Sequence, residues 1–492
     1  MVTMSSSSSK SMNNQQIDPE YQYDPTYVEK DQEQILLEKL GYKQELKRSY
    51  SIWSLCAFSI VTLTPASAIM NTLGTPLATG GPQALVWGYI IVSIFTMIVA
   101  ISMAEIAASY PVSGGPLSWA YQLGKTEKVK FLASWYTGYF NIFSQIAFAA
   151  SASFQGTTTI LATAEYRQDA KFIFTKYVNE SGFQSHGYVF ILGLLQSAYT
   201  FTGYDSCTHL AEEADSGKNK NIVAKALVVV VATCILYGFI FVIVICSVLD
   251  DIPSLINSAT GSAFIQLVYN CTKNTSATVL LALFPTLAAL FAAETMTLAN
   301  SRTIYSFARD GAFIFPTFFA KVSPVYNVPI PALLFSMVIQ IIIVILYFSS
   351  NVVFNTIISL TTIGHELAYI IPIILMLFGG RSRMDPDRPW NLGTYGVVCN
   401  IISILWLAFI SITMLFPTIS PVKAGNMNYT VVIIFIVIAY ATICWFVQGK
   451  KTYKGPGEVV DGSVNVVELE AINDDHPLDK VDVGISAKER KQ

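Results

Sequence analysis

The stretch YTFTGYDSCTHLAEE, Tyr199–Glu213, closes an apolar run that begins near Gly187. It stops a hydrophobic segment at a glycine, sets an aspartate where lipid would be, and ends on two glutamates. What surrounds it decides whether this is a soluble helix or a membrane one.

Of the 492 residues, 53% are hydrophobic and 13% charged, a balance foreign to a water-soluble surface. Ten apolar segments are long enough to cross a bilayer, at about 51–77, 84–110, 131–163, 187–209, 222–249, 277–300, 330–349, 352–378, 394–416 and 430–448. Transmembrane barrels alternate polar and apolar residues in short strands, and these runs do not. The reading is an all-α integral membrane protein.

Lysine and arginine gather in alternate connections. With the N-terminus inside, eighteen lie near the membrane on that side and five on the other. The positive-inside rule therefore predicts cytoplasmic termini. The glycosylation pattern N-x-[ST] occurs at Asn179, Asn270, Asn274 and Asn428, and all four fall in loops predicted to face outward or into a lumen. The seven cysteines show no metal or disulfide spacing and read as packing residues. No nucleophile–base pair, phosphate loop or metal cluster is evident, so the sequence predicts neither an enzyme nor an ATP-driven pump, with no cofactor, no metal and no nucleic-acid partner.

Residues 1–40 and 457–492 are polar and without periodicity, and are expected to be disordered cytoplasmic tails around a permease domain at 41–456. No cleavable leader is read, so the first span is expected to act as the insertion signal.

Acids within spans are few: Glu105, Asp205, Glu294 and Glu366, with His209 and His365 nearby. Each costs roughly 2.5–3.5 kcal/mol at mid-depth, which favours a functional or paired role. Glu105, beside SYPVSGGP, is expected to be structural, pairing with bases at the inner end. Glu212, Glu213 and His209 are expected at the cytoplasmic interface. Two spans carry breakers, Pro65 in the first and Gly203 in the fourth. Broken helices offer helix N-termini to an anion and carbonyls or acids to a cation, which suits a zwitterionic amine.

These motifs, with GGPQALVWGYIIVS, MAEIAASYPVSGGPLSWA, NSRTIYSFARDG and RPWNLGTYGVVCNIISILW, resemble the amino acid, polyamine and organocation transporter superfamily, in the branch of GABA and choline permeases. The resemblance implies a LeuT-type fold of two inverted five-helix repeats whose broken first and sixth helices hold substrate. Carried over, substrate contacts fall on Thr64, Pro65, Ala66, Ser67 and Ala68 in the first break and on Gly203, Tyr204 and Asp205 in the second, with Asn141 and Gln145 facing the cavity. Pro65 stands where many relatives have glycine. Only ten spans are counted, so the family's fourth and fifth helices are expected to be missing near Thr163–Lys171, which would leave lipid or a partner against the third helix at Ala147–Gly156.

The function expected is secondary active transport of an amino acid or GABA-like amine by alternating access, in the plasma membrane or an endomembrane, coupled to protons or sodium. Glu294, His365 and Glu366 depart from the pattern expected of relatives and are coupling candidates. The alternatives are a choline or polyamine permease and a solute sensor that does not transport.

Overall fold

The computed structural model describes residues 37, 40–42, 44–158, 168–215, 221–258, 261–347, 351–386, 388–424 and 426–456. The tail after 456, most of the N-terminal tail and the junction at 159–167 expected to lack two helices lie outside them. The described residues are mainly helical, and among them the only strand-like pairings are two isolated bridges, Tyr50–Ala214 and Thr79–Asn179. Leu37 and Leu40, assigned above to a disordered tail, pack with Tyr42 and Val112. The folded region therefore begins before residue 41.

Each apolar segment becomes a helix. They are α1 (Ile52–Leu63), α2 (Pro65–Thr72), α3 (Gly81–Ser109), α4 (Glu127–Thr158), α5 (His186–Thr200), α6 (Ile222–Ser247), α7 (Thr275–Arg309), α8 (Ile330–Tyr347), α9 (Asn351–Leu377), α10 (Tyr395–Thr413) and α11 (Thr430–Cys444). Among the described residues seven are long and apolar enough to cross a membrane, α1 and α2 counting as one. Of the other three expected spans, α4 is more polar, α5 has 15 residues, and α8 is apolar over Ile330–Ile345.

Both expected interruptions are present, and each has a local cause. Ser51 caps α1, its hydroxyl accepting from the Ser54 amide. Thr64 then adopts a left-handed conformation at φ 33°, and Pro65, which lacks an N–H and has a fixed φ, opens α2. In the second break, α5 ends with the Phe201 and Thr202 amides bonded to the Ala198 and Tyr199 carbonyls. Gly203 turns the chain at φ 88°, a region closed to most side chains, and Tyr204–Glu213 continues as a ten-residue 3-10 helix. Such helices seldom exceed four residues without tertiary support. Here every residue of the segment is buried.

α7, with 35 residues, rises about 52 Å, beyond the ~30 Å hydrocarbon thickness. Its last turns meet the 3-10 helix and the chain before α1 at the end of the bundle rich in arginine, called here the basic end. α4 runs through the centre. Its Trp135 donates Nε1–H to the Ala441 carbonyl and packs on Tyr139, Phe307 and Tyr453. Of the face expected to be open on this helix, Ala147–Ala152 are buried and Ser153 is partly exposed, and the side chains of 154–156 lie outside the described residues. Small residues there are spent on close approach to neighbouring helices.

Candidate functional site

The 3-10 helix delivers Asp205 into the bundle centre, fully buried. Tyr369 of α9 donates its hydroxyl to Oδ1 at 2.6 Å, and His209 Nε2 lies 3.1 Å from Oδ2. The expectation of an unpaired acid facing water is therefore corrected: hydrogen-bond partners on α9 and one turn further along the same 3-10 helix take the place of solvent around this carboxylate. His209 is corrected too. Instead of reaching an interface it is fully buried.

The imidazole of His209 has four neighbours. Besides Asp205, Nε2 lies 2.9 Å from Gln145 Nε2, while Nδ1 lies 3.1 Å from both the Ser113 carbonyl and the Thr303 hydroxyl. A neutral ring protonated at Nδ1 donates to Ser113 and accepts from Gln145. One protonated at Nε2 donates to Asp205 and accepts from Thr303. The imidazolium donates to Ser113 and Asp205. The ring nitrogens find a partner in each state, but only a proton on Nε2 gives Asp205 Oδ2 a donor. The network continues through Gln145 Oε1, which accepts from Asn300 Nδ2 at 3.0 Å.

Around this network lie polar atoms with no protein partner. Both amide atoms of Asn141, Oδ1 of Asn300, Nε2 of His365 and Oε2 of Glu366 are buried and unbonded. Such orphans are costly unless a ligand or water completes them. Asn141 lies one turn from Gln145 on the same face of α4. His365 bonds the Thr361 carbonyl through Nδ1, and its free Nε2 sits 4.0 Å from where a Cβ would stand on Gly203.

Residues of the first break are only partly aligned with this centre. Ser67 donates to the Pro285 carbonyl of α7 and accepts from Asn71, which ties it to structure. Pro65 packs toward Gly238 of α6. The two breaks are joined below Thr64, where Ser206 donates to Ser59 at 2.9 Å.

The centre is closed toward the basic end. Arg309 clasps Glu212 with two bonds of 2.9 Å, and Arg302 holds Glu213 at 2.7 Å. Glu212 and Glu213 are thus buried ion-pair members, not the exposed interfacial acids expected. Ahead of α1, Gln44 donates to the Glu212 carbonyl, and the Ser49 and Tyr50 amides donate to that of Glu213. Tyr42 donates to Asp310 at 3.3 Å and lies under the Arg309 guanidinium. Burial pushes the Asp310 carboxyl up to about 7, Glu212 adding to the effect and Arg309 and Tyr42 opposing it. Glu105 meets expectation: fully buried, it binds Arg381 at 2.7 and 2.9 Å and Arg388 at 2.6 Å.

At the opposite end a cavity of about 400 Å³ opens. Asn71, Thr75, Gln196, Tyr199, Ser359 and Asn428 contribute to its wall, and no lining residue is charged. Tyr199, hydrogen-bonded to Ser151 and stacked near Phe148, lies one turn before Gly203. The four glycosylation motifs share this end. Asn428 lines the cavity, Asn179 bridges to Thr79 of its wall, Asn270 bonds Ser254, and Asn274 caps α7. Asn428 donates its amide to the Met414 carbonyl, so it is partly occupied.

Glu294 is not with this group. It is exposed on α7, away from Asp205, which separates it from His365. Sequence reasoning missed Tyr369, Asn300, Thr303 and the arginines. Tyr369 carried a signal, standing one turn after His365 on the same helix face.

A buried polar centre at a broken helix, with a neutral vestibule toward one end of the bundle and ion pairs sealing the other, is the arrangement of a membrane transport protein. The family described as Amino acid permease matches residues 50–175 and 160–438, and this chain belongs to it. It is 31% identical to the amino-acid permease BAT1 of Arabidopsis thaliana, over 87% of this chain and 96% of the relative. It is also 26% identical to a choline transporter of Saccharomyces cerevisiae, over 83% of each, and 27% to that yeast's GABA-specific permease, over 86% and 85%. Among solved structures, a manganese transporter of Eremococcus coleocola is similar at 11% identity and TM-score 0.48, covering 83% of this chain and 97% of that one. The chain is a multi-pass membrane transporter of amino acids or amines, and not an enzyme.

Proposed function

We propose that this protein is a proton-coupled carrier of zwitterionic amino acids, including GABA-like ones, working by alternating access between the vestibule and the basic end. The observation that carries this is the buried Asp205 beside the Gly203 break, within hydrogen-bond reach of Tyr369 and of a His209 ring with partners at both nitrogens. A carboxylate and an imidazole buried together beside a broken helix are suited to carrying a transported proton. Substrate amine engages Asp205, displacing Tyr369 or His209. Asn141 and the free Nε2 of His365 complete the polar lining.

The uncharged vestibule supports a solute of no net charge over a polycation, because its wall holds no acid to concentrate cations. With the vestibule outside, the ion pairs of Glu212 and Glu213 form the cytoplasmic closure, as the charge asymmetry predicts. Alignment with BAT1 runs over 504 positions, more than the whole chain possesses. The relative thus has residues without counterpart here, which supports the reading that two helices are lacking.

Uptake into proteoliposomes with imposed proton or sodium gradients tests the proposal. Amino acid entry should be driven by an inwardly directed proton gradient and abolished in Asp205→Asn. Flux driven by sodium alone, preferred choline flux, or binding without flux would each overturn it.

A further inference from the structure

Leu280, Leu283, Phe284, Leu287, Leu290 and Phe291 are 43–70% exposed and recur at helical spacing along one face of α7. A lipid-facing stripe would look the same, except that the next position in the series is Glu294, also exposed. Glu294 stands eight residues, about 12 Å of rise, before Arg302 and its partner Glu213, well inside the apolar part of the helix. Its short side chain does not reach an interface as lysine or arginine would.

Most other acids near the bundle centre have partners, Glu366 with its unbonded, inward-turned Oε2 being the exception. Asp205 is held by Tyr369 and His209, Glu105 by two arginines, and Glu212 and Glu213 by one each. Glu294 alone of these is turned toward the surroundings of the bundle. Thr62 of α1 donates to the neighbouring Thr295, so the stripe borders α1 within a helical turn of the Thr64 break.

We infer that this face of α7 docks a transmembrane helix of another polypeptide that carries a lysine or arginine near mid-span, paired with Glu294. Charge complementarity selects this occupant over a second copy, since no described span of this chain offers an unengaged base at that depth. The contact lies beside the hinge, so such a helix is placed to bias its motion.

The full chain, with benzoylphenylalanine in place of Leu290, is reconstituted in phosphatidylcholine vesicles with a biotinylated Leu/Ala helix of roughly 20 residues bearing one central lysine, or the same helix without it. Cross-linking to the lysine helix should exceed that to the plain helix by about tenfold. Glu294→Gln should abolish the preference and Glu294→Asp should keep it, with thermal stability of both variants measured to exclude misfolding. A reporter at Ile341, likewise exposed but on α8, should show no preference. Equal yields for the two helices, no cross-link above the Ile341 reporter, or cross-links only between copies of the chain would overturn the inference.

Discussion

The hydroxyl of Tyr369 donates to Asp205 at 2.6 Å, joining α9 to the 3-10 helix across 164 residues of chain. A hydrogen bond to a charged acceptor contributes roughly 1.5–3 kcal/mol. Tyr369→Phe should therefore lower uptake by about tenfold and change its pH dependence, with expression unaltered. Uptake measured from pH 5 to 8 checks this, and a profile superimposable on the parent would remove Tyr369 from the mechanism.

Gly203 is required on two counts that can be separated. Its φ of 88° is strained for any L side chain, and a Cβ would stand 2.6 Å from Met296 Cε. The methionine tip is flexible and can move, whereas the backbone strain of roughly 1–2 kcal/mol cannot be relieved locally. Gly203→Ala should impair transport, and adding Met296→Ala should restore little of it. Full recovery in the double variant would show that crowding, not the turn, explains the glycine.

Much of this was legible in the sequence because membrane burial leaves a one-dimensional record. Apolar length gave the helices, and Pro65 and Gly203 gave the breaks. What could not be read was which acids find partners. Glu212 and Glu213 look like interfacial residues until α7 brings Arg309 and Arg302 back almost a hundred residues later. Asp205 looks unpaired until Tyr369 arrives. Nothing in the local spacing of Glu294 distinguishes it from His365, yet one faces outward and the other the centre.

Glu105 of α3 holds Arg381 and Arg388 together, the acid and Arg388 buried and Arg381 partly exposed. Removing one partner from a buried ion pair leaves an uncompensated charge, at a cost of roughly 3–5 kcal/mol. Glu105→Gln should lower the thermal midpoint in detergent by several degrees or prevent accumulation. Arg388→Met should cost less, because Arg381 still binds with two hydrogen bonds. Equal losses in both variants would argue that the carboxylate is not the hub.

Asp310 makes the closure at the basic end pH-sensitive. Its carboxyl, ordinarily near 3.8, is pushed up to about 7 in the folded protein by burial, with Arg309 and the Tyr42 hydroxyl opposing the shift. The folded state binds the proton more tightly than the open chain, so this group imposes no penalty below pH 4. The penalty grows as pH rises and is complete above about 7. The closed basic end should therefore lose stability between about pH 4 and 7, and Asp310→Asn should flatten that dependence. Hydrogen exchange of the Ser49 and Tyr50 amides, which bond to Glu213, reports it directly.

The vestibule and the basic end should lie on opposite sides of the membrane. Ile419 lines the cavity and is 46% exposed, while Ser382 is exposed beside the Glu105 cluster. Cys271, half-buried near the vestibule end, is first replaced by serine so that it does not react. In intact cells an impermeant maleimide should then label Ile419→Cys, and amino acid substrate should slow the reaction by occupying the cavity. Ser382→Cys should react only after permeabilisation. The reverse pattern would place the eighteen basic residues outside and invert the direction of the proposed cycle, since the neutral vestibule would then open to the cytoplasm.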